Sequence, residues 1–183
     1  TKVALIDKLS AAGLPVIEAG AFVSPKWVPQ MAGSDEVFEQ ITRRDGVDYP
    51  ALVPNLRGLE AAKRANLNTI AIFLSASETF SERNINCSIN ESYERVMPVI
   101  AAAHEAGIAV RGYISCVIGC PYEGAIPTKA VAAVAERLVA MGIKELSLGD
   151  TIGVGTPGTI RPMLKTVREA VGPEITLAGH YHD

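Results

Sequence analysis

Cysteine is scarce in this chain: Cys87, Cys116 and Cys120 are the only three among 183 residues. An odd, low count excludes a disulfide framework and points to a reducing compartment. Cys116 and Cys120 are four apart, with no second pair and no nearby histidine, which argues against a zinc site. A packing role is the plainer reading of these thiols, with redox chemistry as the alternative. No apolar run approaches the roughly 20 residues that a membrane span needs. Positive charge is not in excess: 17 Lys and Arg face 20 Asp and Glu, for a formal net charge of −3. Neither nucleic acid nor an anionic membrane is therefore indicated as a partner. No signal peptide, linker or low-complexity stretch is visible. The first strand–helix junction lacks G-x-G-x-x-G, which argues against dinucleotide binding.

What is present reads as one α/β domain over residues 1–183. Short segments rich in Val, Ile and Leu predict strands at Val16–Ala19, Asp48–Pro54, Thr69–Ser75, Val110–Val117, Glu145–Gly149 and Ile175–His182. They are mostly apolar on both faces, as parallel strands covered on both sides are. Helices are predicted between them. Lys2–Ala12 precedes Gly13, and Ser34 is placed as a cap ahead of Asp35 and Glu36. Leu56–Ala65 is rich in helix formers. Ser88 and Glu91 have capping-box spacing before a Tyr93, Val96, Met97, Ile100 stripe, in which Pro98 predicts a kink or an early break. Ala130–Met141 ends at Gly142. A last helix opens at Thr156-Pro157 and closes at Gly172-Pro173. Ser75–Asn90 reads as a long polar loop, with Asn84 and Asn86 able to bond a ligand.

Such alternation means a parallel sheet, either a closed barrel or an open doubly wound one. An eight-stranded (β/α)8 TIM barrel would need one strand before Thr1 and one after Asp183. The chain is therefore expected to be about six βα units of an incomplete barrel, cut at both ends.

Chemistry in such folds sits beyond the carboxyl ends of the strands. His180 and His182 end the last strand, and residues i and i+2 share a face. Two convergent imidazoles there suit a divalent metal, and a hydrogen-bonded histidine pair is the plainer alternative. Asp183 could orient one ring. Glu18 lies in an apolar strand, and Asp150 closes Leu146–Asp150 ahead of Thr151. Arg111 interrupts its own strand. It reads either as an ion pair with Glu18 or Asp150, or as part of a polar floor for substrate. Lys26, in the loop Phe22–Pro29, could meet a phosphate or simply be solvated. His104 is read as a surface or packing residue. Arg44-Asp45-Gly46 is placed at a helix end with Gly46 as cap, away from the catalytic face.

Several segments together resemble the 3-hydroxy-3-methylglutaryl-CoA (HMG-CoA) lyases. They are Phe22–Met31, Asn84–Ile89, Gly119–Gly124, Leu148–Gly158 and the terminal His-x-His-Asp. The resemblance runs in order over essentially the whole chain. It implies a TIM-barrel carbon–carbon lyase using Mg²⁺ or Mn²⁺, which cleaves HMG-CoA to acetyl-CoA and acetoacetate in leucine degradation. It implies His180 and His182 as metal ligands, with His180 sharing in proton transfer. Glu18 and Asp150 would be catalytic carboxylates. Asn84, Ser88, Tyr113 and Thr151 would line the acyl or CoA site. The implied partner is a CoA thioester, with a homodimer left open. The implied location is the cytoplasm in a bacterium or the mitochondrial matrix in a eukaryote. The family's Arg-Asp pair is expected before Thr1, and its Cys loop and Asn ligand after Asp183. Ala21 stands where a Ser is expected in many relatives. A Claisen-condensing enzyme of the isopropylmalate or homocitrate synthase type is the alternative activity. A CoA- or metal-binding piece without activity is the alternative of another class.

Overall fold

The structure, a computed structural model, describes residues 1–24, 26 and 28–182. Pro25, Trp27 and Asp183 lie outside the described residues, so the readings placed on the tryptophan and on Asp183 do too. Two compact units are present: Thr1–Ile72 with Ala101–Ala109, and Phe73–Ile100 with Val110–Asp183.

In the first unit, α1 (Lys2–Ala11) leads to an extended segment joined to the chain at Asp48 by a Val16–Asp48 parallel bridge. β1 (Gly20–Ala21), β2 (Ala51–Leu52) and the start of β3 (Thr69–Ser75) pair in that order, in parallel. The ladders are shorter than the apolar runs because Pro50 and Pro54 flank β2 and lack an N–H to donate. α2 (Ser34–Gln40) and α3 (Leu56–Arg64) lie between the strands. Asn55 caps α3 by accepting from the Gly58 N–H at 2.9 Å. Leu59 and Ala62 of α3 are fully buried, as are Ala51, Val53, Ile70 and Ile72.

In the second unit the sheet order is β3, β4 (Ala109–Ser115), β7 (Glu145–Asp150), β8 (Thr176–Tyr181). The β4–β7 and β7–β8 pairs are parallel. The strands of both units follow chain order without the reversal that marks an open doubly wound sheet, so the barrel-type alternative holds. α4 (Glu78–Ile85) and α5 (Ile89–Glu105) follow β3; α6 (Thr128–Ala140) and α7 (Pro157–Val171) flank β7. Val131, Ala135 and Leu138 of α6 and Met163 and Val167 of α7 are buried at helical spacing. Gly112 of β4 lets α6 settle, since a Cβ there would stand 3.1 Å from Leu138 Cδ1 and 3.2 Å from Leu146 Cδ2.

Four local expectations need correction. Ser34 is not a cap: Gly33 holds that position, and the Ser34 hydroxyl accepts from Ala21 N–H and donates to the Ala21 and Met31 carbonyls. Ser75–Asn90 is not one long loop, because Ser77 accepts from the Phe80 N–H and starts α4. Pro98 does not break α5, which runs 17 residues through it. Pro98 is exposed, so the carbonyl it leaves without a partner faces water. Arg44–Gly46 forms a turn ahead of the strand at Asp48, not a helix end, with Val47 N–H bonded to the Arg44 carbonyl. One feature went unseen in the sequence, an antiparallel hairpin of β5 (Gly119–Cys120) and β6 (Gly124–Ala125).

Candidate active site

β4, β7 and β8 bring rows of side chains to one face of the second unit. Tyr113 of β4 stands opposite Ser147 of β7, which stands opposite Ala178 of β8. One step toward the carboxyl ends, Gly149 pairs with His180. One step the other way, Arg111 pairs with Glu145. Alternation places Glu145, Ser147 and Gly149 on this face and Leu146, Leu148 and Asp150 on the other.

At the amino-terminal end of this face, Arg111 Nη2 meets Glu145 Oε1 at 2.8 Å. Its Nη1 points to the Tyr113 hydroxyl at 3.4 Å, and its guanidinium lies 5.6 Å from the Tyr113 ring centre. Of the two readings of Arg111, ion pair or polar floor, an ion pair is present with Glu145, a partner neither reading named, while Asp150 lies on the opposite face.

At the carboxyl end, His180 and His182 converge. Their Nε2 atoms are 3.0 Å apart. His182 Nδ1 lies 2.9 Å from the Thr151 carbonyl oxygen. A carbonyl only accepts, so Nδ1 carries the proton and the His182 Nε2 lone pair is turned toward His180 Nε2. Two nitrogens each about 2.1 Å from a shared ion, at about a right angle, stand ~3.0 Å apart. The pair therefore fits two adjacent ligands of one divalent cation. Both rings are exposed. Among the described residues no group of three or more His, Cys, Asp or Glu side chains is placed to hold a metal.

Thr151 is anchored from below. Its Oγ1 accepts the Cys116 N–H at 2.8 Å, which ties the end of β7 to the end of β4. Asp150 is 1% exposed. Its carboxylate accepts the Val154 N–H at 3.2 Å and a 2.6 Å bond from the Gly155 N–H. A Cβ at Gly155 would stand only 2.6 Å from Asp150 Oδ2, so glycine is what permits that approach. Asp150 thus shapes the loop that carries Thr151.

The remaining candidates are described each in its own unit. Ser88 forms the expected capping box: its N–H donates to Glu91 Oε2 at 2.7 Å, and its Oγ accepts from the Glu91 N–H at 3.1 Å. Asn84 is exposed near the end of α4, on the carboxyl side of β3. Glu18 belongs to the first unit, exposed between the buried Ile17 and Ala19. The sequence reading did not single out Ser147, which stands between Tyr113 and Ala178 on this face. It also missed the Thr151 carbonyl, which no side-chain pattern announces.

Comparison with known proteins gives these residues a context. A 3-hydroxy-3-isohexenylglutaryl-CoA/hydroxymethylglutaryl-CoA lyase of Pseudomonas aeruginosa is 58% identical over 100% of the chain, which covers 60% of that protein. A mitochondrial hydroxymethylglutaryl-CoA lyase of Bos taurus is 56% identical, with 56% of its length covered. A crystal structure of hydroxymethylglutaryl-CoA lyase from Pseudomonas aeruginosa superposes with a TM-score of 0.96, covering all of this chain and 60% of that one. An HMG-CoA lyase from Acinetobacter baumannii, solved with coenzyme A and 3-methylmalate, is 34% identical with a TM-score of 0.92, over 99% of this chain and 59% of that one. The chain thus spans about 60% of the length of these relatives and matches part of their barrel. The HMGL-like family model matches residues 1–183, and the chain belongs to that family.

Proposed function

We propose that the intact protein carrying this chain is a divalent-metal-dependent lyase that cleaves HMG-CoA to acetyl-CoA and acetoacetate. The observation that supports it most is the His180–His182 pair, with its Nε2 atoms 3.0 Å apart at the carboxyl end of β8, in a chain of this family. His180 and His182 would hold Mg²⁺ or Mn²⁺, which supplies the Lewis acidity that eases loss of the substrate's tertiary hydroxyl proton.

The chain's own residues do the rest. Thr151 fixes the His182 tautomer through its carbonyl. A share in moving the hydroxyl proton is assigned to His180 beside its ligand role. Tyr113 and Ser147, whose register sets them one row in from His180, would orient the acyl group. Asn84, Ser88 and Thr151 are assigned to the acyl or CoA contacts, and Glu18 and Asp150 to the carboxylate roles, on the family resemblance. The location follows the host: cytoplasm in a bacterium, mitochondrial matrix in a eukaryote.

The test is product analysis. HMG-CoA incubated with the intact protein and Mn²⁺ should yield acetoacetate and acetyl-CoA in equal amounts. CoA release from acetyl-CoA driven by a 2-oxo acid, without cleavage of HMG-CoA, would replace this reading with the condensing one.

A further inference from the structure

The hairpin that the sequence did not announce reaches the first turn of α4. Pro121, Tyr122 and Glu123 form its turn, inside the Cys120–Gly124 pair. Pro121 restricts the turn at one end, and Gly124 closes it at a φ of 75°. Glu123 Oε1 accepts the Thr79 N–H at 2.6 Å, from 44 residues along the chain. Thr79 is the second residue of α4, so this N–H has no partner within the helix. Ser77, the N-cap, accepts from the Phe80 N–H and turns its own proton to Cys120 Sγ at 3.0 Å. A glutamate is ionised at neutral pH, and here it meets the positive end of the helix, which strengthens the bond.

The grip continues along one side of α4. The Tyr122 ring lies 6.4 Å from the Phe80 ring, centre to centre, and the Arg83 guanidinium lies 4.3 Å from the Tyr122 ring centre. Asn84 follows Phe80 by four residues and so shares that side of the helix. The root of the hairpin is fixed in turn. Cys116 N–H bonds Thr151 Oγ1 at 2.8 Å, and Val117 N–H bonds the Gly149 carbonyl at 3.0 Å. A Cβ at Gly119 would stand 2.8 Å from Val154 Cγ2, so the hairpin lies close on the 150–155 loop. α4 is thus held from a base anchored at the end of β7, next to the strand that carries the histidines.

We propose that Glu123 is a positioning residue: from the hairpin it holds the pose of α4, and thereby of Asn84, relative to the end of β7. The consequence for catalysis rests on the lyase reading, which assigns Asn84 to the acyl or CoA contacts. Without the Glu123 carboxylate the first turn of α4 loosens, and the substrate meets a less ordered Asn84. Binding weakens while the groups that carry the reaction stay in place.

The test compares the intact protein with Glu123→Ala and Glu123→Gln. Glu123 is exposed, so the variants should fold and keep wild-type Mn²⁺ affinity. In Glu123→Ala the Thr79 amide hydrogen should exchange about tenfold faster, as expected for loss of one hydrogen bond to a charged group. The amides of α4 up to Asn84 should follow it. KM for HMG-CoA should rise several-fold while kcat holds. Glu123→Gln keeps an acceptor oxygen and should restore most of both. Unchanged exchange at Thr79 would overturn the grip. Faster exchange with an unchanged KM would overturn the positioning of Asn84, and so would a raised KM accompanied by loss of Mn²⁺ binding. A wild type that cleaves no HMG-CoA would sink the lyase reading instead, and the exchange rates alone would then decide the grip.

Discussion

His182 is held in one tautomer by Thr151: Nδ1 sits 2.9 Å from the Thr151 carbonyl oxygen, and Nε2 is turned to His180. Without metal, the 3.0 Å Nε2–Nε2 contact requires one proton, and it belongs to His180. Long-range ¹H–¹⁵N spectra of the metal-free protein should show His182 protonated at Nδ1 and His180 at Nε2. A His182 ring protonated at Nε2 would show that the carbonyl does not set the tautomer.

Asp150 separates a structural from a chemical role. Its buried carboxylate accepts two backbone N–H bonds in the 150–155 loop. Asp150→Ala strands those donors and should destabilise the protein by about 1–3 kcal/mol, read from urea unfolding. Asp150→Asn keeps an acceptor and should unfold closer to the wild type. If Asp150→Asn retains stability yet loses cleavage of HMG-CoA, the carboxylate acts on the reaction as well as on the loop.

Glu91 links α5 to acidity. The Ser88 N–H, and then its hydroxyl, hold the Glu91 carboxyl below the ordinary carboxylate value. A lowered folded-state value means the contribution is fully present above the unfolded value, about 4.3. It is lost as pH falls from there through the folded value. Glu91→Gln should lower stability near neutral pH and flatten its acid dependence below about pH 4.3. An unchanged stability–pH profile would remove the capping box from the account.

Leu138 tests the packing of the second unit. It is fully buried on α6, and its Cδ1 is the atom nearest to where a Gly112 Cβ would stand. Leu138→Ala should cost about 2–5 kcal/mol in urea unfolding. A loss under about 0.5 kcal/mol, the range of an exposed site, would mean α6 is not seated on β4 as described.

Much of this was legible in the sequence where a local rule decides the outcome. β3 occupies Thr69–Ser75 as read, because an uninterrupted β-branched and apolar run leaves no competing signal. Ser88–Glu91 caps its helix as spacing alone demands, and the last helix opens at Thr156-Pro157 as read. The misreadings arose where a side chain found a distant partner. Ser34 turned its hydroxyl to Ala21, thirteen residues away, and ceased to be a cap. Arg111 chose Glu145 because parallel pairing sets them side by side, which depends on strand register. The convergence of His180 and His182 was legible from their spacing. The Thr151 carbonyl beneath them was not, because it depends on a backbone path fixed by Asp150 and Cys116.

The most direct measurement is Mn²⁺ titration of the intact protein followed by electron paramagnetic resonance, with His182→Ala in parallel. His182 is exposed, so its removal should leave the unfolding midpoint nearly unchanged. The account predicts that the variant binds Mn²⁺ at least about tenfold more weakly and loses cleavage of HMG-CoA with it. Wild-type Mn²⁺ affinity in His182→Ala would contradict the metal centre proposed at the end of β8.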